Sequence, residues 1–489
     1  MGSDPQYSLY PNLSLAQDIF VLTNRSASAP SKKTSLQNLQ NAITEHKMAP
    51  LYRYLAHPAE GVLNASGEST SSGRKPPPPK NAATILLKRR RGSGTFDYPW
   101  DEAFYEKLKK ENEEELEAIQ KEEEEAVEKA GDSEVLAAKG KRAEFFARVG
   151  DKEKAIAAYE KQFEETGPLG TKIDLVLAMV RLHMFFNDRL GVKKNVDRAK
   201  TLVESGGDWD RRNRLKAYQG LYLLDIRSYN LAAPLLLDSL STFTSYELCS
   251  YSSLVVYSVL TGSISLKRLD FKSKVVDAPE IRAILGDGEE KLSALSGAAS
   301  SGPGAGDEEM EDVVQKSATP GTGAAVNLTT LGSSTAPQEA EKQVDFTPLA
   351  GLVRSLYVGN YQVFFQALAA VEENFVSQDR YLYEHRNWFV REMRLRAYQQ
   401  LLQSYRVVGL QSMAREFGVS VDFLDRDLAK FIAADRIPCT IDRVNGIIET
   451  NRPDDKNKQY ADVVKHGDAL ITKLQKYGQA VRLRGSERG

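Results

Sequence analysis

Nothing in this chain narrows its fold as sharply as the stretch from Arg391 to Asp454, where the apolar period switches from helical to alternating. Met393, Leu395, Tyr398, Leu401, Leu402 and Tyr405 recur at helical spacing. After Val407-Val408-Gly409, Leu410, Met413 and Phe417 mark one face of a short helix, and Gly418 stands where a left-handed cap belongs. Ser420 is placed to cap a third helix, whose apolar face is Val421, Leu424, Leu428, Phe431 and Ile432. Ile437, Cys439 and Ile441 then alternate with polar neighbours, Asp442 to Gly446 supplies a turn, and Ile447-Ile448-Glu449-Thr450 reads as a return strand. Helix, helix and β-hairpin in that order predict a winged helix.

Winged helices are best known on DNA, and the charges here oppose that use. From Arg406 to Thr450 six cations face seven carboxylates. The helix that would enter a major groove carries Asp422, Asp425 and Asp427 in its first two turns. Those carboxylates suit a helix N-terminus but would meet phosphate, whose neutralisation supplies most non-specific affinity for nucleic acid. The wing has no Arg/Lys cluster either. A winged helix that docks protein is expected, with no nucleic acid among its partners.

The 489 residues leave room for several domains, and a net charge of −2 steers the molecule towards neither nucleic acid nor anionic lipid. Two cysteines, Cys249 and Cys439, are too few for a disulfide framework and fit a reducing compartment. No run approaches the roughly eighteen apolar residues of a membrane span, and the N-terminus lacks the basic-then-apolar signature of a secretory signal. An intracellular, soluble protein is expected, with no membrane partner.

Residues 1–60 hold two short helical patterns, Leu13-Ala16-Ile19-Phe20-Leu22 and Met48-Leu51-Tyr52-Leu55. Residues 61–97 turn to Ser, Gly, Pro and basic residues, too poor in apolar surface to offset chain entropy, so a disordered insert is expected. Its Lys88-Arg89-Arg90-Arg91 run is either a nuclear localisation signal or a solvated charge run. Residues 98–285 begin with an acidic helix, Glu113-Glu114-Glu115 and Glu122 to Glu125 around a thin stripe of Phe104, Leu108, Leu116 and Ile119. A basic partner surface would offset its like-charge repulsion; a solvated helix is the alternative.

A degenerate helical repeat follows. Ala155-Ile156-Ala157-Ala158-Tyr159 is echoed 44 residues later at Ala199-Lys200-Thr201-Leu202-Val203, and again 33 residues on at Ala232-Ala233-Pro234-Leu235-Leu236. Small residues early in a second helix let paired helices approach closely, and the spacing is near the roughly 34-residue helix–turn–helix repeat. After a Gly/Ser/acidic insert at 286–343, expected to be disordered, Gly359-Asn360-Tyr361 and Phe364-Phe365-Gln366-Ala367-Leu368 supply a further unit within 344–390. Beyond the winged helix (391–454), residues 455–489 carry Tyr460, Val463, Val464, Leu470, Ile471, Leu474, Tyr477 and Val481 at intervals of three and four. That seam calls for a partner helix or for docking back onto its own domain. The fold class expected is mostly α: a TPR-like solenoid, a winged helix and a C-terminal helix.

Catalytic motifs are not apparent. His46, His57, His183, His385 and His466 are scattered with no zinc-site spacing, and His183 sits among apolar neighbours as a packed histidine would. Gly167 to Lys172 has the residue types of a phosphate loop with the wrong spacing, and Gly302 to Gly306 lies in low complexity. Neither cofactor nor metal is expected.

A helical-repeat arm running into a winged helix and a terminal helix resembles PCI-domain proteins, the subunits of the proteasome lid, the COP9 signalosome and translation initiation factor three. Three strings narrow the resemblance: Gly206-Gly207-Asp208-Trp209-Asp210-Arg211-Arg212-Asn213-Arg214-Leu215-Lys216 with Tyr218 to Tyr222, Ser241-Thr242-Phe243-Thr244-Ser245-Tyr246-Glu247-Leu248, and Glu449-Thr450-Asn451-Arg452-Pro453-Asp454. They are similar to strings of the regulatory particle non-ATPase subunit seven family of the proteasome lid, over roughly residues 100 to 480; the two inserts depart from its pattern. The resemblance implies a non-catalytic scaffold of the 26S proteasome lid in cytoplasm and nucleus. Its implied partners are other PCI lid subunits, met through winged-helix edges and a bundle of C-terminal helices, a small acidic lid subunit, and the ATPase ring. Signalosome or initiation-factor membership, and a nucleic-acid-binding winged helix, are the rival readings.

Candidate interface residues follow from these patterns: Arg436, Cys439, Ile441 and Ile447 on the hairpin, and Tyr460, Val464, Leu470, Leu474 and Tyr477 on the terminal seam. Trp209 and Arg212 are either a partner hot spot or part of an internal clamp, in which arginines pair with Asp208 or Asp210 while Trp209 closes a joint between repeats.

Overall fold

The computed structural model describes residues 9–58, 61, 63, 98–129, 132–286, 345–450 and 455–486. Apart from Gly61, Leu63 and Gly286, both expected inserts, including Lys88 to Arg91, lie outside the described residues.

Among the described residues, three helices, α1 (Leu13–Thr23), α2 (Ala29–Glu45) and α3 (Ala49–Ala56), precede the long acidic α4 (Glu102–Lys129). Helical hairpins follow: α5 (Asp132–Val149) with α6 (Lys152–Glu165), α7 (Leu169–Phe185) with α8 (Arg189–Gly206), and α9 (Trp209–Asp225) with α10 (Tyr229–Ser239). Next come α11 (Tyr251–Ser265), the single turn α12 (Arg268–Phe271), a π-turn through Val276, and α13 (Pro279–Leu285). Past the second insert, α14 (Thr347–Val358) and α15 (Tyr361–Val371) make a fourth hairpin. Among the described residues no helix is long and apolar enough to cross a membrane.

The hairpins share one turn chemistry. Gly150, Asn187, Arg227 and Gly359 hold positive φ at the four turns, and each is followed by the residue that precedes the second helix: Asp151, Asp188, Ser228 or Asn360. Asp151 accepts from the Lys154 N–H, Asp188 from Gly191 and Asn360 from Val363, which satisfies backbone donors that a helix start leaves open. Ala155, Ala199 and Ala232, the small residues of the sequence repeat, are fully buried where the second helices press on their mates.

Electrostatic ties run at the same period. Lys152 Nζ meets Asp188 at 2.8 Å, Arg189 forks onto Asp225 at 2.7 and 3.1 Å, Arg198 meets Glu160 at 3.2 Å, and Arg211 reaches Asp174 at 2.6 Å. Arg214, 1 % exposed, bridges Asp174 at 3.2 Å and Glu247 at 2.6 Å, and Tyr218 Oη donates to the same Glu247 at 2.9 Å. Partners in these contacts stand 29 to 40 residues apart, about one repeat. Arg211 and Arg214 of the Trp209 string therefore form a clamp between repeats. Trp209 takes no part in closing it: the indole is 66 % exposed, and Arg212 beside it is exposed as well.

The acidic helix finds its basic surface in the next helix. Arg148 pairs with Glu115, Arg142 with Glu123 at 3.1 Å and Lys141 with Glu122 at 2.7 Å, so α5 answers three of the carboxylates of α4. Leu108 is buried, and Phe104, Leu116 and Ile119 pack on the core. Tyr52 of α3, stacked on Trp100 at 5.1 Å, accepts the Asp101 N–H and fixes the start of α4.

One crossover joins the N-terminal helices, the repeats and the C-terminal part. It runs from Ser377 to His385, ahead of α16 (Arg386–Ser404). Gln17 of α1 donates to the Gln378 carbonyl at 2.7 Å and accepts the Arg380 N–H at 3.0 Å, while Asn24 donates to the Ser377 carbonyl at 2.7 Å. Arg380 donates to the carbonyls of Met184 and Phe185 at the end of α7, at 2.7 and 3.0 Å. His385 Nε2 lies 2.9 Å from the Asp225 carbonyl at the end of α9. Tyr257 of α11 donates to Asp379 at 2.6 Å; burial raises the Asp379 carboxyl, and this hydroxyl with the N–H groups of Leu382 and Tyr381 opposes the rise.

Two outcomes test the ladder. Arg214→Met leaves the buried Glu247 carboxylate without its cation and should cost about 3–5 kcal/mol in urea unfolding, whereas Trp209→Ala should stay within about 0.5 kcal/mol. Burial alone would raise Asp188, but the Lys152 ammonium and the Gly191 N–H outweigh it and hold the carboxyl at about 2. Its folded-state value lies below the unfolded one, so its stabilisation is present above about pH 4 and is lost as pH falls towards about 2. Asp188→Asn, which keeps the cap, should lower Tm at neutral pH, and the gap to the parent chain should close on acidification, read by thermal melts across pH.

Candidate protein-interaction site

The winged helix is carried by α16, which buries Phe389, Met393, Leu395, Tyr398 and Leu402. Arg396 on this helix donates to the carbonyls of Ile264, at 2.6 Å, and Leu266 at the end of α11; burial brings its guanidinium down to about 10. The module is thus bolted to the repeat arm by a cation on a helix C-terminus. β1 (Val407–Gly409), α17 (Leu410–Phe417), α18 (Val421–Ala433), β2 (Cys439–Asp442) and β3 (Ile447–Thr450) follow. Gly418 takes the left-handed cap at φ +65°, and the Ser420 hydroxyl accepts the Phe423 N–H, as the sequence predicts. Phe417 stacks on Tyr361 at 4.6 Å and meets Tyr398 and Phe365 edge-on, which seats α17 against α15.

The sheet has the order β1-β3-β2, both pairings antiparallel, with Val408 opposite Ile448 and Ile441 opposite Ile448 on the other side. Its first strand was not expected from sequence, where Val407-Val408-Gly409 reads only as a link. In the turn, Asp442 accepts from the N–H groups of Val444 and Asn445, leaving Val444 at the tip, 95 % exposed.

The hairpin candidates fall into different settings. Arg436 is held by Glu392 at 2.7 Å, Cys439 is buried beneath the sheet with its thiol 3.8 Å from the Thr450 hydroxyl, and Ile441 packs on the core. Ile447 is half-buried in register with Asp442 and Gly409. Cys439 and Ile441 therefore shape the hairpin from within, while Ile447 is half-buried. Sequence reasoning passed over Val407, Phe423 and Val444 as surface residues because an exposed apolar residue in a short element interrupts no period; it put Tyr405 on the stripe of α16, but Tyr405 lies just past the helix end and is 58 % exposed. Two of the three carboxylates of α18 are engaged internally, and Asp422 in its first turn is exposed. Asp425 pairs with Arg443 of the wing at 2.8 Å, and Asp427 with Arg394 at 3.4 Å and the Tyr398 hydroxyl at 3.2 Å.

The last helix, α19 (Asp455–Ser486), presents its seam to solvent. Tyr460, Val463, Val464, Leu470, Ile471, Leu474, Tyr477 and Val481 are each more than half exposed. Thus the seam candidates share one bare helix, the hairpin candidates share one small sheet, and Trp209 with Arg212 stands apart at the start of α9. His183 is buried against Asp188 at 3.1 Å, with its ring lowered by burial, and among the described residues no cluster of three or more His, Cys, Asp or Glu could hold a metal.

Known families match this chain in three consecutive pieces. The profile described as 26S proteasome subunit RPN7 matches residues 101–274, the PCI domain matches 368–452, and the RPN7/PSMD6 C-terminal helix matches 459–481. The chain is 38% identical to the 26S proteasome regulatory subunit rpn7 of Schizosaccharomyces pombe over 475 residues, covering 97% of both chains. It is 37% identical to the RPN7 of Saccharomyces cerevisiae over 489 residues, 99% of this chain and 96% of that one. It is 34% identical to the 26S proteasome non-ATPase regulatory subunit 6 homolog of Arabidopsis thaliana over 483 residues, 99% of this chain and all of that one. With helical hairpins, PCI module and terminal helix matched in order and at full length, the chain belongs to the Rpn7/PSMD6 family of 26S proteasome regulatory subunits.

Proposed function

We propose that this chain is a non-catalytic scaffold of the 26S proteasome regulatory lid, supporting ATP- and ubiquitin-dependent degradation by holding other subunits in place. The observation that carries the proposal is α19: eight apolar side chains at helical spacing, every one more than half exposed. A helix that docked on its own domain would bury them; a bundle of such helices from several subunits buries them all. The winged helix adds a short sheet whose rim residues Ile447, Tyr405 and Val407 suit side-by-side docking of PCI modules. Internal pairing of Asp425, Asp427 and Glu392 with Arg443, Arg394 and Arg436 withdraws three cations from any phosphate, and the excess of carboxylates over cations from Arg406 to Thr450 favours protein partners. Those partners are other PCI subunits of the lid, a small acidic subunit along the hairpin arm, and the ATPase ring, in cytoplasm and nucleus. Trp209 and Arg212, dispensable to the clamp they adjoin, serve as contact residues on that arm.

Replacing Leu470, Leu474 and Tyr477 together with Asp should leave the melting curve of the isolated chain unchanged and abolish co-purification with other lid subunits. A collapsed melting transition would mean that the helix packs within the chain and would overturn the bundle. Affinity purification of the tagged chain at low salt, with mass spectrometry, should return lid subunits and ATPases; signalosome or ribosomal partners would reassign the protein.

A further inference from the structure

Along the hairpins, cations answer carboxylates about one repeat away. The corner made by α12, its π-turn and the last turn of α14 breaks that pattern. Lys267, Arg268, Lys272 and Lys274 are exposed there, and among the described residues none of them has a carboxylate within ion-pairing distance; Asp277 is taken by Arg282 at 3.1 Å. Arg268 donates to the Tyr357 carbonyl at 2.8 Å, and its guanidinium lies 5.0 Å from the Tyr357 ring centroid. Lys272, one helical turn on, brings its ammonium to 5.9 Å from the same ring. Two like charges thus share one aromatic ring, which attracts both but leaves their repulsion standing. Adjoining them in the chain, Leu269 is 84 % exposed and Val358 77 % exposed.

Positive charge with no carboxylate in reach among the described residues, beside exposed aliphatic side chains, is locally inconsistent, and proteins keep such inconsistency mainly where something binds. We propose that this corner is a docking surface for an acidic, apolar-bearing segment of another protein. Carboxylates of that segment answer Arg268 and Lys272, and its apolar side chain covers Leu269 and Val358. Nucleic acid would use the cations and leave both aliphatic residues in water, and a chain of net charge −2 offers no wider field for it. A lipid surface calls for an amphipathic helix longer than the single turn Arg268–Phe271. The corner lies on neither the hairpin nor α19, so its failure and the failure of the scaffold assignment are separable.

The test begins with the assembled complex purified from its own cells. Carbodiimide, which joins amines to carboxylates in contact, should link Lys272 or Lys274 to an Asp or Glu of a partner chain. In parallel, the full-length chain should bind a short fluorescein-labelled peptide of alternating Asp and Leu. Binding should weaken by about tenfold or more in the Arg268→Glu, Lys272→Glu double variant, and also in Leu269→Asp, with melting temperatures unchanged. Links confined to the chain's own carboxylates, such as Glu308 to Asp312, would overturn the inference. So would a peptide affinity indifferent to charge reversal, or tighter binding of single-stranded RNA or phosphatidylserine vesicles with no effect of Leu269→Asp.

Discussion

Arg380 is the contact on which the rest of this fold leans. A guanidinium on the final carbonyls of α7 is a charge-assisted bond at the negative end of a helix, where each such bond contributes about 1.5–3 kcal/mol. Its neighbours extend the effect: Asp379 takes the Tyr257 hydroxyl from α11, His385 meets the end of α9, and Glu384 shares Arg189 with Asp225 at 2.7 Å. The crossover thus gathers the ends of α7 and α9 and the middle of α11 and hands them to α16, whose Arg396 caps the far end of α11. The winged helix inherits its position from these contacts.

Along the hairpins, between α4 and α5 and on the wing, charge is answered within the chain. Repeats are stitched by ion pairs at their own period, α5 neutralises part of α4, and α18 is tied to the wing. Exposed pairs of this kind add little stability, but a cation already facing a carboxylate at fixed geometry is not free to attract a stray polyanion. The exposed apolar features are the α19 seam, the wing tip, Trp209 and Leu269, the last beside the exposed cations Arg268 and Lys272. A scaffold built this way recognises neighbours by shape and burial, with charge selecting at a few places.

Much of this was legible in the sequence because it rests on short-range pattern. Caps, periods and turns within a dozen residues marked α17, α18 and the hairpin, and the buried alanines marked the repeats. β1 escaped notice because three residues cannot display a period, and its pairing with Glu449 to Ile447 is visible only in three dimensions. The crossover was invisible for a different reason. Gln378 to His385 have no periodicity, and their partners lie more than a hundred residues away. The Trp209 string was read as a clamp or a hot spot, and it divides: Arg211 and Arg214 turn inward while Trp209 and Arg212 face solvent. The charges of α4 left its neighbour undecided, since a helix pattern tells which face is apolar and nothing of which helix will cover it.

The seat of α1 carries a consequence for biosynthesis. Gln17 and its partner Gln378 are 361 residues apart, and chains emerge at roughly 5–20 residues per second, so α1 waits for something like 20–70 seconds before its site exists. During that interval Leu15, Ile19 and Leu22, buried in the finished protein, have only α2, α7 and whatever cellular escort is at hand to shelter them. The seat of α1 is completed only when the crossover emerges, so until then a nascent chain carries an amphipathic helix whose final partners have not yet been made.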